Sequence, residues 1–112
     1  MKIVNCTPHV VTFVDGAGEI VHTIPASGIV PRVSTAVSVV GDINGIPDEV
    51  TTYRDVEGLP DPAPDTIYIV SALVANAVKG RDDLRVPGRQ VRDSDGRVIG
   101  CMSLSRAERI RE

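Results

Sequence analysis

Thr66-Ile67-Tyr68-Ile69-Val70-Ser71-Ala72-Leu73-Val74-Ala75-Asn76-Ala77-Val78-Lys79-Gly80 is the stretch on which the fold turns. Its first five residues carry apolar or β-branched side chains on both faces, the pattern of a strand covered on both sides, and so place the sheet centre here. Ser71 interrupts the run, and Ala72 to Lys79 reads as a short helix that Gly80 ends. Strand, serine and helix together anchor an α+β reading, because the segments on either side follow a period of two.

Upstream, His9 to Val14 and Glu19 to Ile24 flank Asp15-Gly16-Ala17-Gly18, a hairpin with a glycine-bearing loop. His22 falls in the apolar row of the second strand and is expected to be half-buried. Val33, Val37 and Val39 alternate with Arg32, Ser34 and Ser38 along a strand bent near Thr35, which assigns the three valines to the core and Arg32 to a polar face. Gly41 to Pro47 reads as a turn region, since Asn44-Gly45 supplies positive φ, and Glu49 to Val56 as the next strand. Pro60, Pro62 and Pro64, at every second position, make Leu59 to Asp65 a stiff extended connection.

Downstream, Gln90 to Asp93 and Arg97 to Ser103 flank Ser94-Asp95-Gly96 as a second hairpin, and Ser105 is placed to cap a last helical turn from Arg106 to Glu112. The expected architecture is one domain over 1–112, mostly antiparallel strands forming a curled sheet or half-open barrel, with one short helix after the central strand.

With 112 residues, one Phe, two Tyr and no Trp, the core must be built from aliphatic side chains. Too few aromatics remain to stack single-stranded bases, and a net charge of −3 excludes a general nucleic-acid surface. That charge is unevenly spread: residues 1–78 hold 3 bases against 9 acids, residues 79–112 hold 9 bases against 6 acids. Anions are therefore expected at the basic end. Cys6 and Cys101 lack any metal or disulfide spacing and are read as free thiols. No run of 18 apolar residues occurs, so the expectation is a soluble cytoplasmic protein without membrane association.

The chemistry available is narrow. His9 and His22 are the only histidines, no Gly-x-Ser-x-Gly elbow is present, and no metal-ligand spacing or phosphate-binding glycine fingerprint appears. No cofactor is expected. A small hydrolase built on His9 with Cys6 or a serine as nucleophile rests on composition alone. A different arrangement fits better: Ser71 between a strand and a helix start, with Arg32 and Arg81 as the cations, makes a place for phosphate or carboxylate oxygens.

Asn5-Cys6-Thr7-Pro8-His9, Ile24-Pro25-Ala26-Ser27-Gly28, Gly58-Leu59-Pro60-Asp61-Pro62 and Thr66-Ile67-Tyr68-Ile69-Val70-Ser71 resemble a family of small phage, prophage and bacterial proteins, mostly uncharacterised. Its usual pattern is Asn-Leu-Thr-Pro-His, Pro-Pro-Ser-Gly and Tyr-Ile-Val-Ser, followed by Arg-x-Asp and Asp-x-x-Gly. Cys6 replaces Leu, Ala26 replaces Pro, and the stretch between Arg85 and Arg92 is shorter. The resemblance implies Thr7, His9, Ser27, Arg32, Ser34, Ser71, Arg81 and Asp82 as ligand-binding residues. Most carry hydroxyl or guanidinium groups, which suit the oxygens of phosphate and ribose.

These lines converge on a non-enzymatic binder of a small, nucleotide-type anion, acting as a sponge against host defence and assembling as a homo-oligomer. The alternative is a protein-binding inhibitor resembling anti-CRISPR proteins, in which the six acids between Asp48 and Asp65 imitate a phosphate backbone.

Overall fold

The computed structural model describes residues 1–107, in which ten strands and one helix follow one another. In chain order they are β1 (Lys2–Asn5), β2 (Val11–Val14), β3 (Ile20–Ile24), β4 (Thr35–Ile43), β5 (Ile46–Tyr53), β6 (Thr66–Ile69), α1 (Ala72–Ala77), β7 (Leu84–Pro87), β8 (Gln90–Arg92), β9 (Val98–Cys101) and β10 (Leu104–Ser105). They form a four-stranded sheet β1-β6-β7-β10, a second four-stranded sheet β3-β2-β9-β8 and a two-stranded ribbon β4-β5. None of the three closes into a barrel. The architecture is α+β, mostly strands with one short helix.

β6 lies at the centre of its sheet, as its sequence requires, and alternation sends its side chains to two different cores. Tyr68 and the following Val70 pack with Cys6, Val74 of α1 and Leu84 of β7. Ile69 points the other way and packs with Val11 and Cys101 of the second sheet. A strand with α1 on one side and a sheet on the other has no solvent face, which is why the run shows no polar alternation. α1 is too short to persist on propensity alone. Ser71, with φ −68° and ψ 158°, caps it by accepting the Val74 N–H at 3.3 Å, and burial of Val74 holds the helix to the sheet.

Structure and expectation differ in three places. First, antiparallel pairing predominates as expected, in β2–β3, β4–β5, β8–β9 and β7–β10, but the central strand is parallel to both its neighbours, β1 and β7, and β2 meets β9 in parallel. Secondly, Val33 is half-buried against the first core but Val37 and Val39 are exposed. Beyond Ser34 the chain leaves the body as the β4–β5 ribbon, every residue of which is exposed. The turn expected over Gly41 to Pro47 shrinks to Asn44-Gly45, whose φ values of 53° and 83° make a primed two-residue turn, while Pro47 sits within β5 opposite Asp42. Thirdly, His22 pairs opposite Phe13 on the edge strand β3 and is exposed.

Ser105 ends β10 and pairs with Val86. Of the expected final turn from Arg106 to Glu112, residues 108–112 lie outside the described part of the chain.

Candidate functional site

The Asn-x-Thr-Pro-His motif is held together by a residue the sequence reading passed over. Asn5, the last residue of β1, is 1% exposed. Its Nδ2 donates to the carbonyls of His9 (2.7 Å) and Ile24 (3.0 Å), and its Oδ1 lies 3.0 Å from the Thr7 N–H and 2.7 Å from the Thr7 hydroxyl. The Asn5 carbonyl accepts both the backbone N–H and the hydroxyl of Ser27, and that hydroxyl in turn accepts the Ile29 N–H. Thr7 and Ser27 are therefore bound into one hub that ties the loop after β1 to the loop after β3. An asparagine two residues before a Thr-Pro pair, placed to accept from the turn that follows, is the signal that could have found it.

Arg81 is likewise committed. Its Nε and Nη2 grip the two carboxylate oxygens of Asp83 at 2.7 and 2.8 Å, Nη2 also donates to the Pro60 carbonyl at 3.1 Å, and the guanidinium lies 5.9 Å from the Tyr68 ring centroid. The hydrogen bond from Arg81 holds the Asp83 carboxyl below its ordinary range and, reciprocally, raises Arg81 above its own. Tyr68 donates its hydroxyl to the Asp61 carbonyl at 3.0 Å, so the proline-rich connection is pinned at two points, to Tyr68 of β6 and to Arg81 in the loop before β7. Asp82 is exposed, with its carbonyl accepting from Arg85 at 2.7 Å.

Arg32 is placed differently. Its backbone exchanges two 2.8 Å hydrogen bonds with Glu57, an isolated antiparallel bridge ahead of β4 rather than part of the expected strand, while among the described residues its guanidinium holds no hydrogen-bond or ion-pair partner. It lines a cleft of about 480 Å³ with Ser34, Asp55, Glu57, Ser71 and Leu73. A second cleft of about 570 Å³, mostly apolar, includes Thr7, His9, Gln90 and again Ser71. Both volumes fall in the range of small-molecule sites. Ser71 thus stands at the wall between a polar cleft holding Arg32 and an apolar one edged by His9.

The structure gathers Thr7, His9, Arg32, Ser34 and Ser71 around that wall and leaves the others elsewhere. Ser27 lines a third cleft beside Pro25 and Tyr68. Arg81 and Asp82 line a fourth, of about 330 Å³, which Ala72, Ala75 and Asn76 of α1 face; Arg32 and Arg81 do not share a cavity.

Cys6 and Cys101 are both free and buried, and burial pushes both thiols above their usual range. A buried thiol held protonated is a poor nucleophile. Among the described residues no group of three or more His, Cys, Asp or Glu comes together to hold a metal ion, and no helix is long and apolar enough to cross a membrane. No protein family, curated protein or solved structure matches the chain.

Proposed function

We propose that the protein binds and sequesters a small nucleotide-type anion across Ser71, without turning it over. The observation that carries this reading is the unpartnered Arg32 guanidinium beside the Ser34 and Ser71 hydroxyls, next to an apolar cleft able to take a flat ring. Arg32 clamps phosphate oxygens, the two hydroxyls complete their hydrogen bonding, and His9 and Gln90 meet polar edges of the ring system. Asp55 and Glu57 shape the preference. Two carboxylates beside one arginine repel a dianionic phosphate monoester, whereas a monoanionic phosphodiester flanked by ribose hydroxyls offers them donors.

Sequestration rather than turnover follows from what His9 lacks: among the described residues no partner orients its imidazole, and the nearest thiol in sequence, Cys6, is buried. The likeness to phage and prophage proteins supports a role in withholding a nucleotide messenger from host defence. A second reading, inhibition of a host protein by an acidic surface, draws on the exposure of Asp48, Glu49, Asp55, Glu57 and Asp61.

The test is a thermal-shift screen over cyclic and linear nucleotides, ADP-ribose derivatives, sugar phosphates and inorganic phosphate, followed by chromatography of the released ligand. Phosphodiester nucleotides are expected to raise Tm and to be recovered unaltered. Arg32→Ala is expected to leave the apo Tm nearly unchanged and to weaken binding by about 10- to 150-fold, the loss of one charge-assisted clamp. A panel without a single shift refutes the reading, and a cleaved product replaces it with the hydrolase.

A further inference from the structure

The β4–β5 ribbon is an arm without a body. It runs for 9 residues out and 8 back around Asn44-Gly45, and among the described residues its two strands pair only with each other. Val37, Val39, Val40, Ile43, Ile46 and Val50 are exposed, Val39 at 65% and Ile46 at 66%. Opposed residues share a face, so Val37 and Val39 lie on the face of Tyr53, and Val50 and Ile46 on the other. A two-stranded ribbon with apolar residues on both faces is marginal in water.

We infer that this arm docks on a second copy of the chain, against the arginine-bearing β8–β9 hairpin. Surface area is the first reason. A monomer of 11.9 kDa is expected to expose roughly 6,000 Å², whereas this chain exposes 8261 Å². Its radius of gyration, 17.1 Å, likewise exceeds the roughly 13 Å of a compact chain of this length. The excess of roughly 2,000 Å² per chain is what each copy surrenders in an interface of obligate-dimer size.

Charge selects the receiving surface. Residues 35–53 carry Asp42, Asp48 and Glu49 and no base, a net −3. Arm against arm would bring two such charges together. Residues 79–107 hold 7 bases against 4 acids, a net +3; within them the β8–β9 hairpin brings Arg89, Arg92 and Arg97 together with Asp93 and Asp95, a net +1, and β8 is an edge of its sheet. Arg89 and Arg97 are exposed there, beside the exposed Val98 and Ile99. In a two-fold dimer each arm reaches the other copy's hairpin, so two identical contacts form at once. The arm springs from Ser34 and returns through Arg54, whose N–H donates to the Ser34 carbonyl at 2.9 Å, so its root is also a wall of the Arg32 cleft.

Sedimentation velocity and light scattering on the full chain test the inference. Twice the chain mass is expected at micromolar concentration. Val39→Lys with Ile46→Lys is expected to weaken dimerisation by roughly a hundredfold while far-UV circular dichroism keeps the strand signal, because both side chains are exposed in the single chain. Asp48→Lys with Glu49→Lys weakens it, as does Arg89→Glu with Arg97→Glu, and the four together restore it. A strict monomer up to high micromolar concentration overturns the proposal and leaves the arm to a foreign protein. A dimer indifferent to the arm lysines, or reversals that fail to rescue one another, overturns it equally.

Discussion

Replacing Asn5 by Ala removes, in one step, the hub that joins the loops after β1 and β3. Four hydrogen bonds are lost: two to carbonyls, one from a backbone N–H and one from a hydroxyl. At a net of about 1 kcal/mol each the loss is about 4 kcal/mol, reduced to about 3 kcal/mol because the exposed His9 segment recovers water. A domain of this size has about 5–15 kcal/mol in all, so Tm is expected to fall by about 12 °C or more. Asn5→Asp is the finer probe. The carboxylate keeps the acceptor toward Thr7 but turns a second oxygen onto the His9 and Ile24 carbonyls, where only a proton relieves it. Its pKa is thereby raised in the folded state, so the lost stability returns in part as pH falls through that pKa and disappears again as pH rises. Urea unfolding from neutral to mildly acidic pH reads both effects. Where Asn5→Ala fails to fold, Thr7→Val carries the same test at about 1 kcal/mol. An Asn5→Ala protein within about 1 kcal/mol of wild type, or an Asn5→Asp protein without recovery in acid, refutes the hub.

The Arg81–Asp83 pair gives a pH signature of opposite sign: Asp83 is held below its ordinary range, so its contribution is present above the unfolded carboxylate pKa and lost as pH falls through the folded one. Asp83→Asn is expected to flatten the acid limb of stability against pH below about pH 4, read by urea titration, and an unchanged limb counts against the pair. Gly100→Ala tests the parallel contact of β2 with β9. A Cβ there would stand 2.8 Å from the Thr12 carbonyl oxygen and 3.1 Å from Val14 Cγ1, so a loss of about 1–3 kcal/mol is expected by thermal melting, and an alanine variant as stable as wild type refutes the close approach.

The centre of the fold was legible because it depends on local facts: Thr66 to Val70 has apolar side chains on both faces, and Ser71 and Gly80 bound a helix signal between them. Partner direction was not, since a period of two states that a strand has two faces and says nothing of whether its neighbour runs parallel. The same blindness put Val37 and Val39 in the core. Alternating valines read alike whether or not this chain supplies a surface to cover them, and in the structure the 35–53 ribbon leaves them exposed.

At the site the division is sharper. Ser71 was placed by the strand-to-helix junction, and Arg32 by the polar row of its strand, and the structure brings both to one cleft. Arg81 lies in a different cleft, where Asp83, two residues on, holds its guanidinium. That spacing was visible in the sequence. In Arg81-Asp82-Asp83 the carboxylate at the second position along can fold back to meet the arginine in a short loop, and a cation with a partner so near has little left for a ligand. Arg32 has Val33 and Ser34 after it and no acid near it along its own segment of sequence. The charge worth assigning to a ligand is therefore the arginine whose own neighbourhood in sequence cannot neutralise it, and here that criterion selects Arg32 over Arg81.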